Sequence, residues 1–246
     1  MQKYLDRIGC RWDGTHSLEN LSRLVRRHLE TVPFENLDFY RSPRELSLTL
    51  EDLYDKVVSR HRGGVCFELN GLFGWLLEQM GYGPRPVLVR VLLGPGPNPL
   101  SHQGNIVTVA GKRYYCDVGF GGPGPKGVVC LDDDCVQVID GAEFRAEWNG
   151  IHCDILSRRG EDWIVILRLV DIPCNTMDFT VLLYYFTNHP GSYFVNTRVI
   201  NLCLPDGFLA LTGNTLTGKR GGLRINRQIP EEEISQILRE EFGLEV

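Results

Sequence analysis

The segment Arg62-Gly-Gly-Val-Cys-Phe-Glu-Leu-Asn70 places a cysteine between two glycines and a strongly apolar stretch. Apolar residues recur at helical spacing over 69–80, so the pattern predicts that a helix begins at or near Cys66. The unpaired N–H groups and the dipole of a helix start stabilise a thiolate, which is the nucleophilic form of cysteine. Cys66 is therefore a candidate nucleophile. The alternative is that Cys66 is a small core residue and Gly63-Gly64 only a tight turn.

A nucleophilic cysteine needs a base, and the base needs a partner that orients it. Of the six histidines, His102 opens the alternating segment Ser101-His-Gln-Gly-Asn-Ile-Val-Thr-Val109, a pattern that predicts a strand. Asp117 ends another apolar strand and precedes a glycine-rich loop. An acid at this position either forms a turn or pairs with an imidazolium. His28 and His61 lie in basic helical surroundings, where we expect them to be solvated.

The predicted hairpin between these strands places His102 and Asp117 on one face of the sheet, but not in contact. If Gly111-Lys112 is a two-residue turn, Asp117 lies opposite Ile106, whose parity matches that of His102. Four residues at ~3.3 Å each then separate the two side chains, which is too far for a hydrogen bond. A longer loop, a bulge or an offset register must close the gap.

The cysteines show no metal-ligand spacing. The chain contains no C-x-x-C pair and no H-E-x-x-H, and an acidic run separates Cys130 from Cys135. We therefore predict no metal site. The eight cysteines would permit disulfides, but in a chain of this size without an export signal we expect them to stay reduced.

Composition and charge narrow the class of protein. The chain has 246 residues, 43% hydrophobic and 23% charged, which is the balance of a globular protein with a substantial core. Lys and Arg number 26 and Asp and Glu 31, and the net charge of −5 argues against general affinity for nucleic acid. No apolar run approaches the ~20 residues that span a bilayer. The first residues lack the apolar region of a secretory signal. We expect a cytoplasmic protein with neither a membrane nor a nucleic acid as partner.

The hydrophobic patterning changes twice along the chain. Helical spacing dominates the first part, where one helix is predicted to begin after Ser17 and end before Pro33. Short runs rich in β-branched and aromatic residues follow, which predicts a mostly antiparallel sheet or barrel. The predicted barrel strands are 87–93, 105–109, 113–118, 136–139, 144–148 and 163–170, with a loop at 95–99. The last part is predicted to hold strands at 194–200, 208–211 and 223–225 and a closing helix from Pro230.

Three motifs follow one another in a characteristic order. They are Val32-Pro-Phe-Glu-Asn-Leu-Asp38, the cysteine motif quoted above and Asp117-Val-Gly-Phe-Gly-Gly122, with His102 between the last two. With these motifs the chain resembles the arylamine N-acetyltransferases across nearly its whole length. The resemblance implies an α+β fold whose core is shared with Cys proteases and transglutaminases. It implies an N-terminal helical bundle (1–83) carrying the nucleophile, a central antiparallel β-barrel (84–187) carrying the His and Asp, and a C-terminal α/β lid (188–246).

The resemblance also implies a Cys-His-Asp triad and a reaction. Cys66 would take an acetyl group from acetyl-CoA, and an arylamine, arylhydroxylamine or hydrazine would then accept it, as in xenobiotic metabolism. His102 would pair with the thiolate and later remove the amine proton, while Asp117 would fix the imidazole tautomer and stabilise its charge. The implied partners are therefore a small-molecule amine and an acyl-CoA, without a metal.

The family's pocket positions carry over to particular residues of this chain. The apolar acceptor pocket corresponds to Phe34, Val91 and Phe120, for which plain core packing is the alternative. Gly119 and Gly121 are predicted to let the pantetheine arm of the cofactor approach the backbone closely, a bare turn being the alternative.

Three other functions remain open from the sequence. The first is an amide synthase of the same family that releases a polyketide chain, which would need a wider pocket mouth. The second is a Cys hydrolase or transglutaminase-like enzyme, in which water or a lysine accepts the acyl group. The third is a binding module without turnover, which an unreactive Cys66 would favour.

Overall fold

Capping residues define the helices of the N-terminal part. The computed structural model describes residues 1–93 and 98–245, so most of the predicted loop at 95–99 lies outside the described residues. Helix α2 begins after Ser17, whose hydroxyl accepts a hydrogen bond from the N–H of Asn20, as the sequence predicts. The elements of this part are α1 (Gln2–Arg7), α2 (Leu18–Thr31), β1 (Phe34–Glu35), α3 (Leu50–Tyr54) with a π-helical turn at Asp55–Ser59, and α4 (Cys66–Gln79).

Helix α4 lies at the centre of the helical part. Its side chains Leu69, Leu72, Phe73 and Leu76 are fully buried, which explains why the helix is apolar around most of its circumference. The helix ends where predicted, because Gly81 adopts a left-handed φ of 79° just beyond the last turn.

Eight antiparallel strands form a nearly closed sheet in the middle of the chain. They are β2 (Arg85–Val91), β3 (Leu100–Val109), β4 (Lys112–Cys116), β5 (Val129–Cys130), β6 (Gln137–Ile139), β7 (Ala142–Asn149), β8 (His152–Arg159) and β9 (Asp162–Val170). Their order is β5-β4-β3-β2-β9-β8-β7-β6. Strand β8 was not predicted, because the polar run Ser157-Arg-Arg159 interrupts the apolar alternation at its end.

A side chain closes the sheet where its first and last strands meet. The amide of Gln137 on β6 accepts a hydrogen bond from the backbone N–H of Cys130 on β5 at 2.7 Å. The same amide donates to the backbone carbonyl of Cys130 at 2.8 Å. One glutamine therefore pairs both backbone groups of a strand edge that has no neighbouring strand at this point.

The C-terminal part holds a second antiparallel sheet, to which the N-terminal part contributes β1. Its elements are α5 (Thr176–Asn188), α6 (Tyr193–Asn196), β10 (Val199–Leu204), β11 (Gly207–Thr212), β12 (Thr215–Arg220), β13 (Leu223–Gln228), a 3₁₀ turn at Glu231–Glu233 and α7 (Ile234–Phe242). The predicted strand at 194–200 is wrong in its first half. The Asn36 side chain donates to the carbonyls of Phe194 and Thr197, and these tertiary contacts hold a helical turn there.

Three hydrophobic clusters underlie these parts. The first joins the N-terminal helices to α5, whose Phe179 ring lies 6.0 Å from that of Phe67. The second fills the eight-stranded sheet, and the third packs the C-terminal sheet against α7. Within the described part of the chain, no helix is both long and apolar enough to cross a membrane.

Candidate active site

The hairpin β3–β4 brings His102 and Asp117 into direct contact. Its turn is Ala110-Gly111, with φ values of 49° and 80°, and not the predicted Gly111-Lys112. The register shifts accordingly, and Asp117 falls opposite Gly104, only two residues from His102 on the same face. The imidazole Nε2 of His102 lies 2.7 Å from Oδ2 of Asp117. The predicted face is therefore right, and the offset register closes the predicted gap.

Cys66 is the first residue of helix α4, as its sequence context predicts. The two preceding glycines do not form a tight turn, since the backbone there is extended enough for Gly64 to form a β-bridge with Phe34. They allow other chain segments to approach. A Cβ at Gly63 would lie 1.9 Å from the carbonyl oxygen of Pro33, and one at Gly64 would lie 2.7 Å from Oε2 of Glu68. The glycines thus let β1 lie directly against the nucleophile segment.

Buried charges support the start of helix α4. Glu68 accepts a hydrogen bond from the N–H of Val65 at 2.9 Å and contacts Lys56 Nζ at 2.8 Å. Lys56 also lies 2.7 Å from Asp38. Burial raises the pKa of Glu68 and outweighs the opposing charge of Lys56. Burial lowers the pKa of Lys56, but the neighbouring carboxylates outweigh this effect and raise it. This cluster anchors the helix that carries Cys66.

The electrostatics favour a charged imidazole beside the cysteine. Burial by itself lowers the pKa of His102, but the charges of Asp117 and Cys66 and their hydrogen bonds raise it to about 10. Burial by itself raises the pKa of Asp117, whereas the charge of His102 and the accepted hydrogen bonds bring it below its ordinary value. Since Nε2 contacts Asp117, Nδ1 is the ring nitrogen left for the sulfur of Cys66. An imidazolium paired with a thiolate is the arrangement that a nucleophilic cysteine requires.

Asn70 ties the helix to the end of strand β4, and Gly119 adds a second donor to the same carboxylate; neither role was predicted. Asn70, one helical turn after Cys66, donates to Oδ1 of Asp117 at 2.8 Å and accepts from the N–H of Val118 at 2.9 Å. The N–H of Gly119 donates to the same Oδ1 at 2.9 Å. The available signal was the position of Asn70 in the cysteine motif, four residues after the nucleophile and on the same helix face.

A cavity of about 650 Å³ opens beside Asp117, and the part of its lining that the structure describes includes neither Cys66 nor His102. It is lined in part by Phe34, Asp117, Phe120, Phe144, Phe208 and Leu209. The Phe120 ring lies 5.9 Å from the imidazole of His102. Two of the three predicted acceptor-pocket residues therefore line this cavity. Among the described residues, the lining does not include Val91, which packs with Phe120 against the second hydrophobic cluster.

Both glycines of the predicted pantetheine site have packing partners inside the protein. A Cβ at Gly119 would lie 2.7 Å from Cα of Cys66, so the absent side chain lets the loop contact the nucleophile helix. A Cβ at Gly121, whose φ is 65°, would lie 2.7 Å from the Phe34 ring. These contacts explain the two glycines without a ligand, and their contact with the cofactor stays a prediction.

The other cysteines and histidines were also considered as candidate functional residues. All eight cysteines are free, and Cys135 is exposed. Over residues 1–93 and 98–245, no group of three or more His, Cys, Asp or Glu side chains could hold a metal ion. His28 is not solvated, contrary to the prediction. Its ring is fully buried 2.9 Å from the Tyr4 hydroxyl, and burial, with a smaller contribution from Arg7, lowers its pKa to about 3.

Sequence comparisons place the chain in a family. A family model described as N-acetyltransferase matches residues 17–246. The arylamine N-acetyltransferase of Mycobacterium tuberculosis is 33% identical over 251 residues, which cover 99% of this chain and 88% of the relative. The arylamine N-acetyltransferase of Escherichia coli is 30% identical, covering 100% of this chain and 89% of the relative.

Solved structures agree in fold. The arylamine N-acetyltransferase from Salmonella typhimurium superposes with a TM-score of 0.92 at 31% identity, covering 99% of this chain and 90% of that chain. The Mycobacterium marinum arylamine N-acetyltransferase in complex with CoA gives a TM-score of 0.89 at 30% identity, covering 98% and 92%. From its sequence, fold and the matched relatives, the chain belongs to the arylamine N-acetyltransferase family.

Proposed function

We propose that this protein transfers an acetyl group from acetyl-CoA to the nitrogen of arylamines, arylhydroxylamines or hydrazines. The catalytic residues of this proposal are Cys66, His102 and Asp117. The observation that carries it is the 2.7 Å contact between His102 and Asp117 next to a cysteine at a helix start, with Asp117 lining a mostly apolar cavity.

The first half-reaction acetylates the cysteine. The thiolate of Cys66 attacks the thioester carbonyl of acetyl-CoA, and a new sulfur–carbon bond forms. The bond between the carbonyl carbon and the CoA sulfur breaks, and the CoA sulfur leaves with the proton of the His102 imidazolium. His102 is then neutral and still oriented by Asp117. The exchange of one thioester for another is nearly isoenergetic.

The second half-reaction transfers the acetyl group to nitrogen. The amine lone pair attacks the acetyl carbonyl, and neutral His102 accepts the amine proton. The bond to the Cys66 sulfur breaks, which restores the thiolate and imidazolium pair. The amide product is much more stable than the thioester, so this step drives the reaction. Weakly basic aryl amines suit it because they are uncharged at neutral pH.

The cavity suits both proposed substrates. Phe34 and Phe120 offer flat apolar walls for an aryl ring, and burial of such a ring is favourable by roughly 25 cal/mol per Å². We retain Val91 as a third acceptor contact. Arg159 also lines the cavity and offers positive charge for the phosphates of CoA, whereas Lys126 and Arg158 in the same lining pair with Asp140 and Glu143. The proposed steps use only side chains of this chain and no metal, and an acyl-CoA donor fits a cytoplasmic location.

Intact mass spectrometry tests the proposal. Incubation of the protein with acetyl-CoA should add the mass of one acetyl group, and subsequent addition of 4-methoxyaniline should remove it and yield the N-acetylated amine. Cys66→Ala should gain no acetyl group, whereas the control Cys135→Ala, at an exposed cysteine, should behave as the wild type. Absence of the adduct, or its presence on another cysteine, would contradict the proposal.

The same experiment separates the alternative functions. Loss of the acetyl group in buffer at the rate seen with amine would identify a hydrolase. Acetyl transfer to lysine side chains and not to arylamines would identify a transglutaminase-like enzyme. Acylation only by long-chain thioesters of a carrier protein would identify an amide synthase.

A further inference from the structure

The carboxylate of Asp117 has a second partner on the oxygen that faces His102. Tyr115 on strand β4 is fully buried, and its hydroxyl donates to Oδ2 of Asp117 at 2.7 Å. His102 Nε2 contacts the same Oδ2 at 2.7 Å. Tyrosine and histidine therefore share one carboxylate oxygen.

The carboxylate is saturated with hydrogen bonds. Oδ1 accepts from Asn70 and from the N–H of Gly119, and Oδ2 accepts from His102 and Tyr115. A carboxylate offers about four acceptor positions, so each of these positions is occupied. A hydrogen-bond donor withdraws part of the negative charge of the carboxylate oxygen that accepts from it. An oxygen that accepts from two donors therefore attracts each of them less strongly.

The facing strand makes room for this tyrosine. Gly104 lies opposite Asp117 in β3, and a Cβ there would lie 2.3 Å from Cε2 and 2.5 Å from the hydroxyl of Tyr115. A glycine in the interior of a strand weakens that strand. It often marks a position where another group approaches the backbone closely. Here the approaching group is the Tyr115 ring, which occupies the space of the missing side chain.

We infer that Tyr115 is a positioning residue of the triad, whose hydroxyl shares Oδ2 of Asp117 with His102 and limits the carboxylate charge that acts on the imidazole. Gly104 is also required for this arrangement, because a side chain there would overlap the Tyr115 ring. The inference rests on the proposed two-step transfer, and it concerns the second step. Once the Cys66 sulfur is acetylated it carries no charge, and His102 must be neutral to accept the amine proton. An undiminished Asp117 charge would hold the imidazole in its protonated form.

The groups around Tyr115 keep its hydroxyl protonated, so that it always donates to Asp117. The titratable groups that act on Tyr115 are Asp117 after the same strand, Cys66 on helix α4 and Cys116 beside it. Those that act on His102 are Asp117 and Cys66. Burial, followed by the charge of Asp117, raises the pKa of Tyr115 well above its ordinary value. The hydroxyl therefore stays protonated throughout the working range of the enzyme.

The titration of His102 tests the inference without any turnover. In the Cys66→Ser background, which like the acetyl-enzyme has no thiolate, the ring of His102 is titrated by ¹⁵N NMR, its signal being identified by its loss in His102→Gln. Adding Tyr115→Phe should raise the midpoint by about one pH unit, since a hydrogen bond to a charged group is lost. Adding Tyr114→Phe, which removes the hydroxyl of the neighbouring residue on β4, should leave the midpoint unchanged. Equal midpoints for Tyr115→Phe and the unmodified background would overturn the inference.

A second variant guards against misfolding of the first. Gly104→Ala keeps the tyrosine but forces its ring away from Oδ2, so it should shift the His102 midpoint in the same direction. An unchanged midpoint in a folded Gly104→Ala protein would also contradict the inference.

Kinetics then locate the effect in the reaction. In proteins with Cys66 intact, Tyr115→Phe should move the pH profile of amine-dependent deacetylation upward by about one unit. It should leave acetylation by acetyl-CoA within about threefold of the wild type, a difference of roughly 0.65 kcal/mol. An identical deacetylation profile in wild type and Tyr115→Phe would overturn the inference. If neither the wild type nor Tyr114→Phe forms an acetyl-enzyme, the proposed function itself fails. The NMR titration needs no turnover, so it still tests the role of Tyr115 in that case.

Discussion

At the scale of the residue, the candidate site is an arrangement of buried charges. His102 and Asp117 are both buried, and the contact between them compensates for the loss of hydration. Removing one partner therefore leaves the other as a buried charge without its counter-charge. The activity and the stability of the protein are consequently linked at these two side chains.

Asp117→Asn tests the role of the carboxylate. The amide leaves His102 without a counter-charge and can donate a hydrogen bond where an acceptor is required. We expect acetyl-enzyme formation to fall by a factor on the order of 10⁴, as in other triads with this change. Rapid-quench measurement of the acetyl-enzyme gives the rate, and circular dichroism controls for folding. A folded variant with near-normal rates would remove Asp117 from the mechanism.

Selective alkylation tests the nucleophile. With limiting iodoacetamide near neutral pH, we expect Cys66 to react first and activity to disappear with it. Burial raises the pKa of the Cys116 thiol, and burial, followed by the charge of Asp154, raises that of Cys153 to about 12, so these thiols should react slowly. Exposed Cys135 is the internal control for simple accessibility. Peptide mapping that finds Cys135 labelled before Cys66 would contradict the prediction.

The pH dependence of stability should show the raised pKa of His102. A histidine whose pKa rises on folding contributes stability that is complete below its unfolded value of about 6.5. That contribution is lost as the pH rises through the folded value of about 10. The unfolding free energy of the wild type minus that of His102→Gln should therefore shrink between about pH 7 and about pH 10. Urea unfolding at several pH values measures it, and a constant difference would argue against the charged pair.

At the scale of the element, the sequence predicted the helix ends that carry recognisable capping residues. Ser17 and Gly81 define two helix ends as expected. Helix α5 was missed because its aromatic and β-branched residues are typical of strands. Its start carried an overlooked signal, in which Asn175 accepts from the N–H of Met177 and Asp178 accepts from the N–H of Asn175.

The hairpin register could not be predicted because its turn contains an unusual residue. Ala110 adopts a φ of 49°, a conformation that favours Gly, Asn or Asp. The sequence therefore pointed to a turn one residue later. This single-residue error decided whether His102 and Asp117 lie in contact or far apart.

Gln137 offers a test of the sheet closure at this scale. Gln137→Met keeps the length of the side chain but leaves the N–H and carbonyl of Cys130 without a partner. We expect a loss of about 1–3 kcal/mol of unfolding free energy, the cost of leaving buried polar groups unpaired. Urea unfolding measures it, with Val138→Ala as a control at an exposed position on the same strand. Equal stability of Gln137→Met and the wild type would show that water replaces these bonds.

At the scale of the whole molecule, the site depends on contacts between distant parts of the chain. The motifs pointed to the residues of the proposed triad, and the patterning pointed to the helices and strands that carry them. Neither could show that Asn70 bridges α4 to Asp117 or that Tyr115 shares the carboxylate, because both contacts depend on how helix and sheet pack. Phe34 and Phe120 likewise reach one cavity from distant parts of the chain, and Gly121 lies close to the Phe34 ring there.

The choice of amine acceptor should therefore depend on the cavity wall to which Phe34 and Phe120 contribute from different parts of the chain. Phe120→Ala widens the cavity beside His102, and we expect it to change the ranking of kcat/KM across a panel of aryl amines and hydrazines. The burst of acetyl-enzyme formed without amine should change much less, because the pantetheine arm need not contact that wall. Stopped-flow measurement of both quantities is the test. An unchanged ranking with a slower burst would place Phe120 in the donor site.

The division of the triad between helix α4 and the hairpin β3–β4 has a consequence for synthesis. A ribosome releases Cys66 before His102 and Asp117, so the growing chain contains the sulfur atom without its base. The glycine-flanked cysteine lacks its proposed base until strands β3 and β4 have paired and docked on the helix. A nascent or truncated chain thus has no imidazolium to pair with the sulfur, and fast acyl transfer from thioesters is expected only after the last member of the proposed triad has arrived.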